Sequence, residues 1–175
     1  MEWQKKGYII KLINKWYLFS DVEVSEETIF RISNNLLRPS YVSLESALSY
    51  YNIIPEAVYT HQSVSTRKTT RYSTPIGEFQ YRTIPQSCYF GYTILRNEGF
   101  PILIAEFEKA LLDYFYLNAN LNTKEDLESV RFNTVEVQGK LNWEKFAQYA
   151  EIFNSPVLKK RINIFRKFIL NAHPK

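Results

Sequence analysis

Thr69-Thr70-Arg71-Tyr72-Ser73-Thr74-Pro75-Ile76-Gly77-Glu78-Phe79-Gln80-Tyr81-Arg82 carries its own folding instructions. Thr74-Pro75-Ile76-Gly77 has proline at the second and glycine at the fourth place of a four-residue turn, which suits type I geometry. A turn there sets the register of the flanking strands. Ser73 then opposes Glu78, Tyr72 opposes Phe79, Arg71 opposes Gln80, Thr70 opposes Tyr81 and Thr69 opposes Arg82. Side chains alternate across a strand, so one face carries Tyr72, Phe79, Thr70 and Tyr81, and the other carries Arg71, Arg82, Thr69 and Gln80, with Arg67 further along. The aromatic face is expected to look into a core and the arginine face toward solvent or a partner. Arg67, Arg71 and Arg82 form a compact positive patch suited to phosphate, because guanidinium engages it bidentately. The competing reading is a wet sheet face whose arginines pair with local carboxylates.

N-terminal to the hairpin, residues 7 to 19 read as another two-stranded unit. Gly7 opens it, Tyr8 to Leu12 and Trp16 to Phe19 are β-rich, and Ile13-Asn14-Lys15 can turn. After Asp21 the period changes to helical. Ser25 is an N-cap, Glu26 and Glu27 suit the positive helix start, and Ile29, Ile32, Leu36 and Leu37 recur at helical spacing up to the stop at Pro39. A second helix is expected from about Ser43. It has Leu44, Ala47, Leu48 and Tyr51 on one side, and Glu45, Ser46 and Ser49 nearer the other. This helix reads as a tightly packed element with small residues where another element approaches.

C-terminal to the hairpin, strands are expected at Cys88 to Leu95 and Pro101 to Ile104. A helix follows from about Ala105 to Leu117, with Glu106 and Glu108 in its first turn and Ala110, Leu111, Tyr114 and Phe115 on a broad apolar face. Lys109 and Asp113 are four apart and are expected to pair on its surface. Helical patterns at 126–130, 143–153 and 157–172 complete the chain. The last places Leu158, Ile162, Phe165 and Ile169 on one stripe, with Lys159, Arg166 and Lys167 away from it. Strands first and helices afterwards predict an α+β fold with an antiparallel sheet and a helical C-terminal half.

Composition narrows the function. The 175 residues suit one domain plus at most a small appendage, with enough apolar and aromatic content for a core. No apolar run reaches membrane-spanning length and no signal peptide opens the chain, so a soluble, cytoplasmic protein is expected. Cys88 is the only cysteine and reads as a buried, inert thiol on a strand. With His61 and His173 it falls short of a structural zinc set, and no cofactor motif is present. The net charge of +4 is unevenly spread: from Val157 onward there are Lys159, Lys160, Arg161, Arg166, Lys167 and Lys175 and no acid. Such a segment attracts phosphates or is a solvated helix face. Glu106, Glu108, Lys109 and Asp113 invite a metal-dependent nuclease reading, but such enzymes place an acid two before the lysine on a strand. Phe107 stands there, on a helical pattern. No catalytic residue is assigned.

Several stretches, taken in order, resemble one family. Pro39-Ser40-Tyr41-Val42-Ser43-Leu44-Glu45-Ser46-Ala47-Leu48-Ser49-Tyr50-Tyr51 with Ile54-Pro55-Glu56, then Arg67 to Arg71, Thr74-Pro75-Ile76-Gly77, Phe79, Tyr81, Phe90-Gly91-Tyr92 and Ile104-Ala105-Glu106-Phe107-Glu108-Lys109-Ala110-Leu111-Leu112-Asp113 resemble the AbiEi-like antitoxins. Those are transcriptional regulators of type IV toxin-antitoxin systems. The resemblance runs from about residue 7 to the C-terminal helices. One departure stands out: the family pattern Ala-Glu-Pro-Glu-Lys has Phe107 in place of proline. Proline suits the first turn of a helix, and Phe107 is expected to occupy that place with more apolar surface.

The resemblance implies that residues 1–20 are the wing hairpin and last helical turn of a truncated winged helix, and that 21–175 form the antitoxin domain. It implies a partner of the nucleotidyltransferase-toxin class, neutralised without a required direct contact, and promoter DNA touched by Lys11 and Lys15 of the wing, backed by Lys5 and Lys6. The rival from another class is a general nucleic-acid-binding module with no toxin partner, using the arginine face and the basic last helix.

Overall fold

The computed structural model describes residues 2–55, 59–96 and 101–172; Glu56, His173 and Lys175 lie outside them. One helical turn, α1 (Glu2–Lys5), leads through Gly7 at φ +75° into strands β1 (Ile9–Ile13) and β2 (Trp16–Phe19), which pair as a separate antiparallel hairpin. Leu12 is buried, and Ile13 packs on the cluster of Leu36, Phe79 and Tyr81. Through Ile13 the hairpin leans on the rest of the molecule.

Helix α2 (Glu26–Leu36) starts where the sequence places it: the Ser25 hydroxyl accepts the Thr28 N–H at 3.3 Å. Next come β3 (Ser40–Val42), α3 (Leu44–Tyr50), β4 (Thr60–Ser65), β5 (Thr70–Thr74) and β6 (Gly77–Thr83). A 3-10 turn at Gln86–Cys88 precedes β7 (Tyr92–Leu95), β8 (Ile102–Ala105) and α4 (Phe107–Leu117). The helical half is α5 (Lys124–Val130), α6 (Thr134–Lys140), α7 (Trp143–Phe153) and α8 (Pro156–Leu170). The fold is α+β. Among the described residues no helix is long and apolar enough to cross a membrane.

The β5–β6 register is the one the turn predicts, from Thr70 opposite Tyr81 to Thr74 opposite Gly77, with Thr69 outside the ladder. The aromatic face turns inward: Phe79 and Tyr81 are fully buried with Leu36 of α2, and the Tyr81 hydroxyl donates to the Ser33 carbonyl at 2.7 Å. The sheet itself is mixed rather than purely antiparallel. Its order is β5-β6-β4-β3-β8-β7, with β4 parallel to β6 and β3 parallel to β8. The two central strands, β3 and β4, escape the sequence reading because one is three residues long and the other is Thr-His-Gln-Ser-Val-Ser, a polar string. A central position makes that polarity tolerable only with partners. Ser63 accordingly shares a hydrogen bond with Ser33 at 2.7 Å, and Ser65 donates to the Pro39 carbonyl at 2.6 Å.

The strand expected over 88–95 begins only at Tyr92. Cys88 is buried, as expected, but in the 3-10 turn. Helix α6 falls between the expected helical patterns, since Thr134 and the valines at 135 and 137 favour strand locally.

Helix α4 is the centre of the molecule. Eight successive residues, Glu108 to Phe115, are buried, so it is covered on every side. Arg161 of α8 reaches its C-terminus and donates to the carbonyls of Phe115 (2.8 Å) and Ala119 (2.9 Å) and to Asn122 Oδ1 (3.1 Å). A cation at a helix C-terminus satisfies orphan carbonyls and the dipole together. The stripe of Leu158, Ile162, Phe165 and Ile169 packs inward as expected, with the Phe165 ring 4.7 Å from that of Phe115.

Candidate functional site

Tyr41 lies on β3 and Ser43 at the N-cap of α3; Lys109 and Asp113 lie one turn apart on α4. These four side chains meet. Lys109 pairs with Asp113 Oδ1 and donates to the Tyr41 hydroxyl at 2.7 Å. Tyr41 and Ser43 each donate to Asp113 Oδ2 at 2.9 Å. The expectation of a surface pair is therefore corrected: both partners are 0% exposed. The cause is the burial of α4 on all sides, which helical spacing alone does not reveal. Ser43 gives its hydroxyl to Asp113 and makes no side-chain cap for α3.

Three rings enclose the ammonium, with Lys109 Nζ 4.9 Å from the centroid of Phe153 and 5.2 Å from those of Phe90 and Tyr41. Burial pushes the Asp113 carboxyl up and the Lys109 ammonium down, while their pairing opposes both displacements. Tyr41, buried beside Asp113, is held well above the ordinary phenol range. Gly91, at φ +68°, lies against this knot; a Cβ there would sit 2.9 Å from the Tyr149 ring and 3.2 Å from the Lys109 stem. Tyr92 stacks on Tyr41 with centroids 5.2 Å apart. With its members sealed from solvent, the arrangement ties β3, α3, β7 and α4 together.

The acids of the first turn of α4 face α7. Glu106 Oε2 accepts from the Tyr149 hydroxyl at 2.7 Å and pairs with Lys145 at 3.0 Å. Glu108 accepts the Asn142 N–H at 3.1 Å and also reaches Lys145. Partial burial raises the Glu106 carboxyl, yet the Tyr149 and Lys145 bonds outweigh it and hold the group below its ordinary value. Phe107 stands at the first helical position, where proline was expected to be replaceable, and its ring lies 5.5 Å from that of Tyr51. Among the described residues no three His, Cys, Asp or Glu side chains group as metal ligands.

The three hairpin arginines are not one patch. Arg71 pairs with Glu78 across the strands, and Arg82 donates to the Leu117 carbonyl at the end of α4 at 2.8 Å. Arg67 lies apart, in the loop before β5, on a groove it shares with Arg38. Sequence periodicity missed Arg38, because nothing local distinguishes it from any arginine after a helix. Lys5, Lys6, Lys11 and Lys15 are all exposed; Lys6 pairs with Glu2 at 2.7 Å, and Lys15 stands at the hairpin turn with φ +69°. The basic last helix is less available than its composition implies, since Arg161 is buried, Lys159 pairs with Glu151 at 2.6 Å and Arg166 lies over the Trp143 ring.

Compared with models of known protein families and with curated proteins, the chain matches none.

Proposed function

We propose that the protein is an antitoxin of a type IV toxin-antitoxin system and a transcriptional regulator, acting in the cytoplasm against a nucleotidyltransferase-type toxin. One observation carries this reading. The separate stretches that resemble the AbiEi-like antitoxins converge in space: Tyr41 and Ser43 of the first hold Lys109 and Asp113 of the last, while Phe90, Gly91 and Tyr92 of the middle one cover that junction. The order of several separate motifs is more specific than any one of them. The reading takes the β1–β2 hairpin within residues 1–20 as a wing and Lys5, Lys6, Lys11 and Lys15 as its DNA-facing cations. Arg67 is the hairpin arginine best disposed to meet a partner, since Arg71 and Arg82 are engaged within the fold. Those engagements also weaken the rival, a general nucleic-acid module built on the arginine face.

The test is growth of cells expressing the adjacently encoded nucleotidyltransferase with and without this 175-residue chain. Relief of toxicity by the chain, retained in Arg71→Ala, is the expected result. Undiminished toxicity with the folded chain present overturns the reading.

A further inference from the structure

A groove of about 740 Å³ runs between the end of α2, the start of β3, the loop before β5 and strand β8. That volume lies within the range of small-ligand sites. Two arginines, Arg38 and Arg67, line the groove, both exposed residues. Neither pairs with a carboxylate among the described residues, in contrast to Arg71, which does. Arg38 is steadied by a hydrogen bond to Asn35 Oδ1, and the Asn35 amide is itself fixed on the Arg31 carbonyl at 2.7 Å.

One buried hydroxyl sets the spacing of the two arginine-bearing segments. Ser65, 0% exposed, donates to the Pro39 carbonyl at 2.6 Å and accepts the Arg67 N–H at 3.1 Å. The Thr83 hydroxyl then holds the Arg67 carbonyl at 2.6 Å. The backbone beneath both cations is therefore anchored before any ligand arrives, which lowers the ordering cost of binding. Beside them Tyr89 and Leu103 give the groove an aromatic and an aliphatic wall. Tyr89 is half-buried, held by Tyr41 at 5.2 Å and Tyr92 at 5.4 Å between centroids. Burial lifts its phenol to about 12, so it stays neutral and presents no charge against an anion.

We infer that this groove binds a nucleotide, its phosphate held between Arg38 and Arg67 and its base lying against Tyr89. Two cations ask for a phosphate, which guanidinium takes bidentately. The neutral aromatic wall asks for a planar ring, and bases stack on such side chains. The site shares Arg67 with the antitoxin reading, but the inference does not depend on that reading. The nucleotide is either free or the phosphorylated end of a strand, since both offer the same two groups.

Calorimetric titration of the whole chain with a 5′-mononucleotide, the matching nucleoside, inorganic phosphate and a 5′-phosphorylated single-stranded oligonucleotide tests this. The mononucleotide or the oligonucleotide is expected to bind at least tenfold more tightly than the nucleoside or phosphate alone. The stronger of the two identifies the source. Arg38→Ala and Arg67→Ala should each weaken binding at least tenfold while the thermal midpoint stays within error of the parent, and Arg71→Ala should leave affinity unchanged. Equal affinity for nucleoside and nucleotide, binding indifferent to Arg67→Ala, or no binding of either phosphorylated probe overturns the inference.

Discussion

Lys109–Asp113 and Arg71–Glu78 are both pairs of opposite charge, and they sit in opposite worlds. The first has both side chains at 0% exposure; the second has 59% and 40%. In water an ion pair gains little, because solvent screens it and two long side chains lose freedom. In the interior, the cost of removing both charges from water is recovered only when the remaining donors and acceptors are also matched. The knot meets that condition. Asp113 receives Lys109, Tyr41 and Ser43, and Lys109 has Tyr41 and three ring faces besides its carboxylate. The same chemistry therefore organises the core in one place and trims a surface in the other.

The largest effect should come from breaking the buried pair one side at a time. Lys109→Met leaves Asp113 buried and uncompensated, which is expected to cost about 3–5 kcal/mol in urea unfolding. The double variant Lys109→Met/Asp113→Leu should recover much of that loss. A single-site cost below about 1 kcal/mol would show that water reaches the pair. Arg161→Met, which strips charged donors from the Phe115 and Ala119 carbonyls, should cost about 2–3 kcal/mol by the same measurement.

Gly91→Ala approaches the knot from outside. It forces a Cβ into a left-handed backbone and against Tyr149 and Lys109, for an expected loss of about 1–3 kcal/mol. At Glu106 the carboxyl is held below its ordinary value of 4.5, so its contribution is complete above that pH and is lost as pH falls through the folded value. Glu106→Gln should flatten that part of the acid limb of a stability-pH profile. An unchanged limb would mean that Tyr149 and Lys145 do not hold the carboxylate. Arg71→Ala, at the exposed end of the comparison, should shift stability by no more than about 0.5 kcal/mol.

The β5–β6 hairpin was legible because its information is local: one proline, one glycine and strict alternation set register and inward face within fourteen residues. The start of α2 was legible for the same reason, through Ser25 and its acidic first turn. The four-residue spacing of Lys109 and Asp113 announced a pair, but its burial depends on α7 and α8, which begin only at Trp143 and Pro156. Central strand β4 was hidden because its serines look like loop until Ser33 and Pro39 supply their partners. The three arginines read as one patch because alternation assigns a face without saying what stands over it. Leu117, Glu78 and the groove by Arg38 then divided them.

By itself, then, the chain determined its α+β character, the hairpin register, most helix starts and the pairing of Lys109 with Asp113, since all of these follow from neighbours a few positions apart. Only the tertiary structure decided the mixed sheet order, the sealing of Lys109 and Asp113, and the placing of Arg38 and Arg67 on one groove. Those outcomes depend on segments distant in sequence excluding water from one another. Solvent exclusion is a property of the packed assembly and is written in no single stretch.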